Sequence, residues 1–130
     1  MAGGVSFLLD TSVLIADRHD GSGKMAISAI SLAELHFGLL VARNDDQRAV
    51  RAARLGRIES RFPRPLPLDD HVAREWGRLQ AAVSQRGGQP RARQADLAIA
   101  ATARAHGATL LTHNLKDFKI IEDLVDVRAP

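Results

Sequence analysis

The sequence predicts one three-layer α/β/α domain built on a central, mainly parallel sheet. Three observations carry that prediction. Short β-prone apolar runs alternate with longer helical patterns, the order that crossover helices around a parallel sheet require. The runs VSFLL (5–9) and ATLLT (108–112) are apolar at successive positions, as strands covered on both faces are. A length of 130 residues, with no repeats and no low-complexity linker, suits a single domain over 1–130.

The elements follow in order. Residues 5–9 form a buried first strand that stops at Asp10. Residues 12–18 read as a short helix and HDGSGK (19–24) as a turn-rich loop. A second strand is expected at 25–28. SLAELHFGLLVAR (31–43) is a helix apolar on nearly every face, opened by a capping box of Ser31 and Glu34. Residues 45–60 form a basic helix. RFPRPLPL (61–68) must be extended, because its prolines lack the amide proton and clash with a helical path. Asp69 or Asp70 caps the next helix, where Val72, Trp76, Leu79 and Val83 form an apolar stripe. A loop at 86–93 leads to an alanine-rich helix, 94–106, ended by Gly107. The strand at 108–112 follows, and 125–128 forms the last.

Composition excludes several chemistries. Without cysteine there are no disulfides, no zinc–thiolate site and no thiol nucleophile. No HExxH, Walker-type glycine loop or GxSxG elbow is present, which disfavours zinc hydrolases, P-loop enzymes and serine hydrolases. No apolar run is long enough to span a bilayer, and the N-terminus lacks the signal-peptide pattern, so a cytoplasmic protein without membrane contact is expected. Net charge is +3, and of 18 basic side chains only Lys24, Lys116 and Lys119 are lysine. Arginine grips phosphate with a planar fork, so the bias is a mild pointer to a polyanionic partner.

Three acids stand in apolar company: Asp10 in FLLDTSVLIA, Glu34 in LAELHFGLL and Asp96 in ADLAIAATA. A buried carboxylate needs a partner. A shared divalent cation satisfies all three, and oxygen-only ligands suit Mg²⁺ or Mn²⁺. Asp117 follows the strand 108–112 and is expected at the same sheet edge as Asp10. Each acid also has a simpler explanation: Asp10, Asp96 and Asp117 at helix starts, Glu34 in its capping box.

LLDTSVLI (8–15), SLAEL (31–35), ADLAIAATA (95–103) and LLTHNLKDF (110–118), in this order and spacing, resemble the PIN-domain family, and most closely its VapC-type toxins. The resemblance spans essentially the whole chain. It implies an α/β/α endoribonuclease that hydrolyses RNA phosphodiester bonds with Mg²⁺ or Mn²⁺ held by Asp10, Glu34, Asp96 and Asp117. Many relatives carry an acid near the place taken here by Asn114, so Asp117 is implied as a ligand bound directly, as one bound through water, or as a support of the site. With Thr11, Ser12 and Thr112, Asn114 is then expected to support the carboxylates. A cognate VapB-type antitoxin and a homodimer are implied as partners.

Arginines are the candidates for holding RNA. Arg91 and Arg93 precede Asp96. Arg48, Arg51, Arg54 and Arg57 recur every third residue, as a phosphate-binding stripe or as a solvated helix face, the second being favoured. Trp76 and Phe7 read as core, and Phe37 as core or dimer contact. Other classes carry less. A phospho-acceptor receiver domain normally has paired acids after its first strand, whereas Asp10 stands alone. A degenerate PIN-like module that binds RNA or assembles without turnover would be expected to have lost acids, and all four are present.

Overall fold

The computed structural model describes residues 4–16 and 24–130. The predicted loop at 19–24 and the end of the helix predicted at 12–18 fall largely outside them.

Four strands, β1 (Phe7–Leu9), β2 (Met25–Ala26), β3 (Thr109–Leu111) and β4 (Val127–Arg128), lie in the order β2-β1-β3-β4, and every pairing is parallel. Side chains alternate across a strand, so adjacent leucines of β1 serve opposite layers. Leu8 packs with Leu110, with Val72, Leu79 and Val83 of α4 (Asp70–Gln85) and with Leu97 and Ile99 of α5 (Gln94–Ala105). Leu9 and Ile27 pack on the other face with Val13 and Leu14 of α1 (Thr11–Ala16), Leu35 of α2 (Ala29–Leu40) and Leu55 and Ile58 of α3 (Asp45–Arg61). The three layers are those the sequence predicts. Helix α5 is buried without a break from Leu97 to Ala103. Its alanines permit close approach to α4 and the sheet, and its buried Thr102 donates its hydroxyl to the Ala98 carbonyl at 2.8 Å.

The proline-rich segment is extended, as expected, and pairs at one residue only. Leu66 stands between Pro65 and Pro67, so it alone of the three has an amide proton. That proton goes to the Ile27 carbonyl at 2.8 Å, and the Leu66 carbonyl accepts from Ala29 N–H at 2.9 Å. The contact prolongs the sheet edge beyond β2. Asp69, not Asp70, caps α4 by accepting from Val72 N–H. Gly107, at φ +63°, lets α5 end with the Ala108 amide folded back on the Ala103 carbonyl.

One local expectation is overturned. No capping box forms between Ser31 and Glu34, because α2 starts earlier and Ser28 is its cap, accepting from Ile30 N–H at 2.9 Å. Ser31 lies inside the helix, fully buried, beside the Thr11 hydroxyl. Among the described residues, no helix is long and apolar enough to cross a membrane.

Candidate metal centre

Register places the first acid. Leu9 pairs with Leu111, so the next residues, Asp10 and Thr112, leave the sheet side by side, and Asp10 N–H still donates to the Leu111 carbonyl at 2.9 Å. This is the carboxyl edge of a parallel sheet, where open α/β folds hold their ligands. Asp10 is 4% exposed. Its Oδ2 accepts from the hydroxyls of Ser12 and Thr112, each at 2.8 Å. Those hydroxyls are held in turn by the loop after β3: His113 N–H donates to Ser12 Oγ at 3.1 Å, and Asn114 N–H to Thr112 Oγ1 at 3.0 Å. Two short relays thus run from backbone amides to one carboxylate oxygen, each donor polarised by the next. Asn114 enters one relay through its backbone amide. His113 enters the other in the same way, through its backbone amide.

Glu34 is brought in by Thr11. The Thr11 hydroxyl oxygen lies 2.6 Å from Glu34 Oε1 and 2.9 Å from Ser31 Oγ. It has one proton, and the carboxylate is the stronger acceptor. Glu34 itself is exposed, contrary to the buried position its apolar neighbours imply. The reason is that those neighbours lack cover too. Phe37 is 67% and Leu40 77% exposed, so α2 buries one side and leaves an apolar side open. Phe37 is therefore not core. Trp76 is, packing against the α4–α5 side of the sheet.

Asp96 sits in the first turn of α5 and Asp117 in the first turn of a 3-10 segment, Leu115–Ile121. Burial, and then the charges of Asp10, Asp117 and Glu34, hold the Asp96 carboxyl above the ordinary aspartate range, with Arg93 opposing them. Asp96 thus lies within reach of the charges of the other three predicted acids. Arg93 closes a 3-10 turn, Pro90–Arg93, and its Nη1 lies 2.9 Å from Asp117 Oδ1 and 3.6 Å from Asp96 Oδ2. The Asp117 partner was not legible in the sequence, where Arg93 has only Asp96 within reach along the chain. Arg91 is exposed on the same turn.

The donor set is carboxylate and hydroxyl oxygen, which fits a hard divalent cation, and the repulsion felt by Asp96 is of the kind such a cation relieves. As the side chains stand, no three acids or histidines among the described residues close round a single point.

The α3 arginines face elsewhere. Arg51 donates to the Gly38 carbonyl in the last turn of α2 at 2.6 Å, and Arg54 is half-buried with its Nε sealed from solvent. Arg51 is tied to α2 and Arg54 is partly buried, so neither stands free on an open phosphate-binding face. Arg51→Ala is expected to destabilise the protein by about 1 kcal/mol in denaturant melts. A matching loss of RNA affinity at low salt would return Arg51 to the substrate.

A parallel three-layer α/β/α domain with acids gathered at the carboxyl edge of its sheet is a carboxylate-site α/β protein, and comparison with known proteins narrows the class. The PIN domain model matches residues 7–124, and the chain belongs to the PIN domain family. It is similar to Ribonuclease VapC5 of Mycobacterium tuberculosis, with 34% identity over 92% of this chain and 90% of that protein. It is also similar to Ribonuclease VapC4 of the same organism, with 33% identity over 90% of this chain and 92% of that one. The crystal structure of VapBC-5, a member of the VapBC family of toxin–antitoxin systems from Mycobacterium tuberculosis, matches with a TM-score of 0.81. Identity there is 33%, over 96% of this chain and 97% of that chain.

Proposed function

We propose that this protein is a Mg²⁺- or Mn²⁺-dependent endoribonuclease and the toxin of a VapBC-type toxin–antitoxin pair. The observation that carries the reading is the placement of the acids, Asp10 beside Thr112 at the sheet edge, Glu34 reached through Thr11, and Asp96 and Asp117 on either side of Arg93, in a chain that is 34% identical to Ribonuclease VapC5.

Asp10 and Asp96 would hold the ion, with Glu34 and Asp117 completing the set. A bound divalent ion supplies water activation and offsets charge on the phosphodiester. The protein's own part is to keep these acids in place. Asp10 is the fixed point, held by Ser12 and Thr112 from a buried strand end. Glu34 and Asp117 are adjustable, since the first is exposed and the second is held by a surface arginine. Arg91, exposed on the turn that carries Arg93, offers a bidentate grip on backbone phosphate, so RNA binding should weaken as salt rises.

The deciding experiment is digestion of total cellular RNA by antitoxin-free protein with Mg²⁺, Mn²⁺ or EDTA. Discrete fragments that require metal support the reading. One observation favours a second reading, a PIN-like RNA-binding or assembly module without turnover: the acids do not close round one point. Intact RNA in the presence of folded, metal-saturated protein would decide for it.

An antitoxin belongs to the same proposal. A cleft of about 500 Å³, lined by Ile15, Ile30, Ala33, Phe37 and Ala95, also contains Thr11 and Glu34 of the acid site. A segment seated there covers exposed apolar surface and blocks Glu34 together. Phe37→Ala should weaken the antitoxin about tenfold and leave RNA cleavage in place. Unchanged antitoxin affinity in calorimetry would move that contact elsewhere. A homodimer is part of the proposal and is read by sedimentation.

A further inference from the structure

We propose that Arg93 is an exchangeable internal counterion, which holds Asp117 in the metal-free protein and must leave it for a divalent cation to bind there. The proposal rests on the reading of the four acids as a metal centre.

Its basis is the placement of one guanidinium between two acids from different elements. Arg93 ends its 3-10 turn three residues before Asp96, which keeps Nη1 near that carboxylate, while the segment after β3 brings Asp117 to 2.9 Å on the other side. Among the described residues, no other lysine or arginine forms an ion pair with either acid. The acids' charges raise the Asp96 carboxyl, and Arg93 is the one opposing charge among them. A guanidinium on Asp117 Oδ1 and a dication at the same carboxylate repel each other directly, so the two occupancies compete.

Arg93 is also held loosely enough to exchange. Arg86 pairs with Asp123 and donates to the Ile120 carbonyl, and Arg104 pairs with Glu75 and donates to the Leu124 carbonyl, which ties both to the main chain. Among the described residues Arg93 has its two carboxylate contacts and no backbone carbonyl partner, and its side chain is 47% exposed. An ion pair of that exposure is weak beside the pull of a dication. The open arrangement of the acids agrees with this, because Asp117 is turned to Arg93. Once displaced, the fork stays tethered one turn from Asp96 and is placed to grip an RNA phosphate.

The test is calorimetric titration of Mn²⁺ into the full chain, Arg93→Gln and Arg93→Lys at one pH. Arg93→Gln should bind Mn²⁺ about tenfold more tightly than the parent, although a basic residue beside the acids would ordinarily be counted as part of the working site. Arg93→Lys, which keeps the charge, should stay close to the parent. Both substitutions fall on an exposed turn, and circular dichroism checks the fold. Equal or weaker Mn²⁺ binding by folded Arg93→Gln overturns the counterion role and leaves the metal centre standing. Absence of Mn²⁺ binding by the parent overturns the metal centre itself, and the counterion role with it.

Discussion

Asp96→Asn is expected to give a folded protein that cleaves RNA at least ~10²-fold more slowly and melts at a higher temperature without metal. The two effects have one cause. Asp96 lies at the start of a helix that is buried over its next seven residues, and the charges of Asp10, Asp117 and Glu34 reach it. Its folded carboxyl is raised above the unfolded value, so the folded state binds the proton more tightly than the unfolded chain does. Metal-free stability is therefore greatest while Asp96 is protonated, and it falls as pH rises from the ordinary aspartate range through the raised folded value. Asparagine cannot ionise and escapes that loss. The melting difference between variant and parent should open across that window and then level off; about 1 kcal/mol would appear as roughly 4 °C. Melts in EDTA at a series of pH values measure it. A variant that melts lower than the parent at neutral pH would mean that Asp96 is held by contacts stronger than the repulsion. Full cleavage would remove it from the mechanism.

Thr112→Val should cost about 1–3 kcal/mol of stability and ~10–100-fold in metal affinity or cleavage. The exchange conserves shape and deletes one hydroxyl. Thr112 is fully buried, and that hydroxyl donates to Asp10 Oδ2 while accepting from Asn114 N–H. Its loss leaves a buried carboxylate with Ser12 as its described hydroxyl donor, and strands an amide of the loop that leads to Asp117. Ser12→Ala should cost less, because Ser12 is only half-buried. The two changes should also be non-additive, since both hydroxyls serve the same oxygen. Denaturant melts of the two single variants and the double variant measure the coupling. Parent-like stability in Thr112→Val would show that Asp10 is held without it.

The strands, five long or short helices and two helix caps were legible because each has a local cause. Apolar runs mark strands; proline forbids a helix at 61–68; Asp69 and Gly107 carry a cap and a stop. Asp10 was legible for the same reason, as a charge directly after a buried run. Glu34 shows where such inference stops. Its apolar neighbours established that α2 has much apolar surface, but not what covers it, and Phe37 and Leu40 prove to be open. The same ambiguity misplaced the cap of α2, since the helix begins three residues earlier than the Ser31–Glu34 pattern suggests, with Ser28 accepting from Ile30 N–H and Ser31 turned to Thr11.

By itself the sequence determined the layer order, the parallel sheet and the acids that gather at its edge, because hydrophobic period, proline and glycine act within a few residues. Tertiary structure alone decided the partners of those acids: the pairing of Leu9 with Leu111 that sets Thr112 on Asp10, the amides of His113 and Asn114 behind the two hydroxyls, and the meeting of Arg93 with Asp117. These contacts join residues far apart in the chain. Their energies depend on distance and burial, and neither exists until strand register and helix packing have brought the elements together.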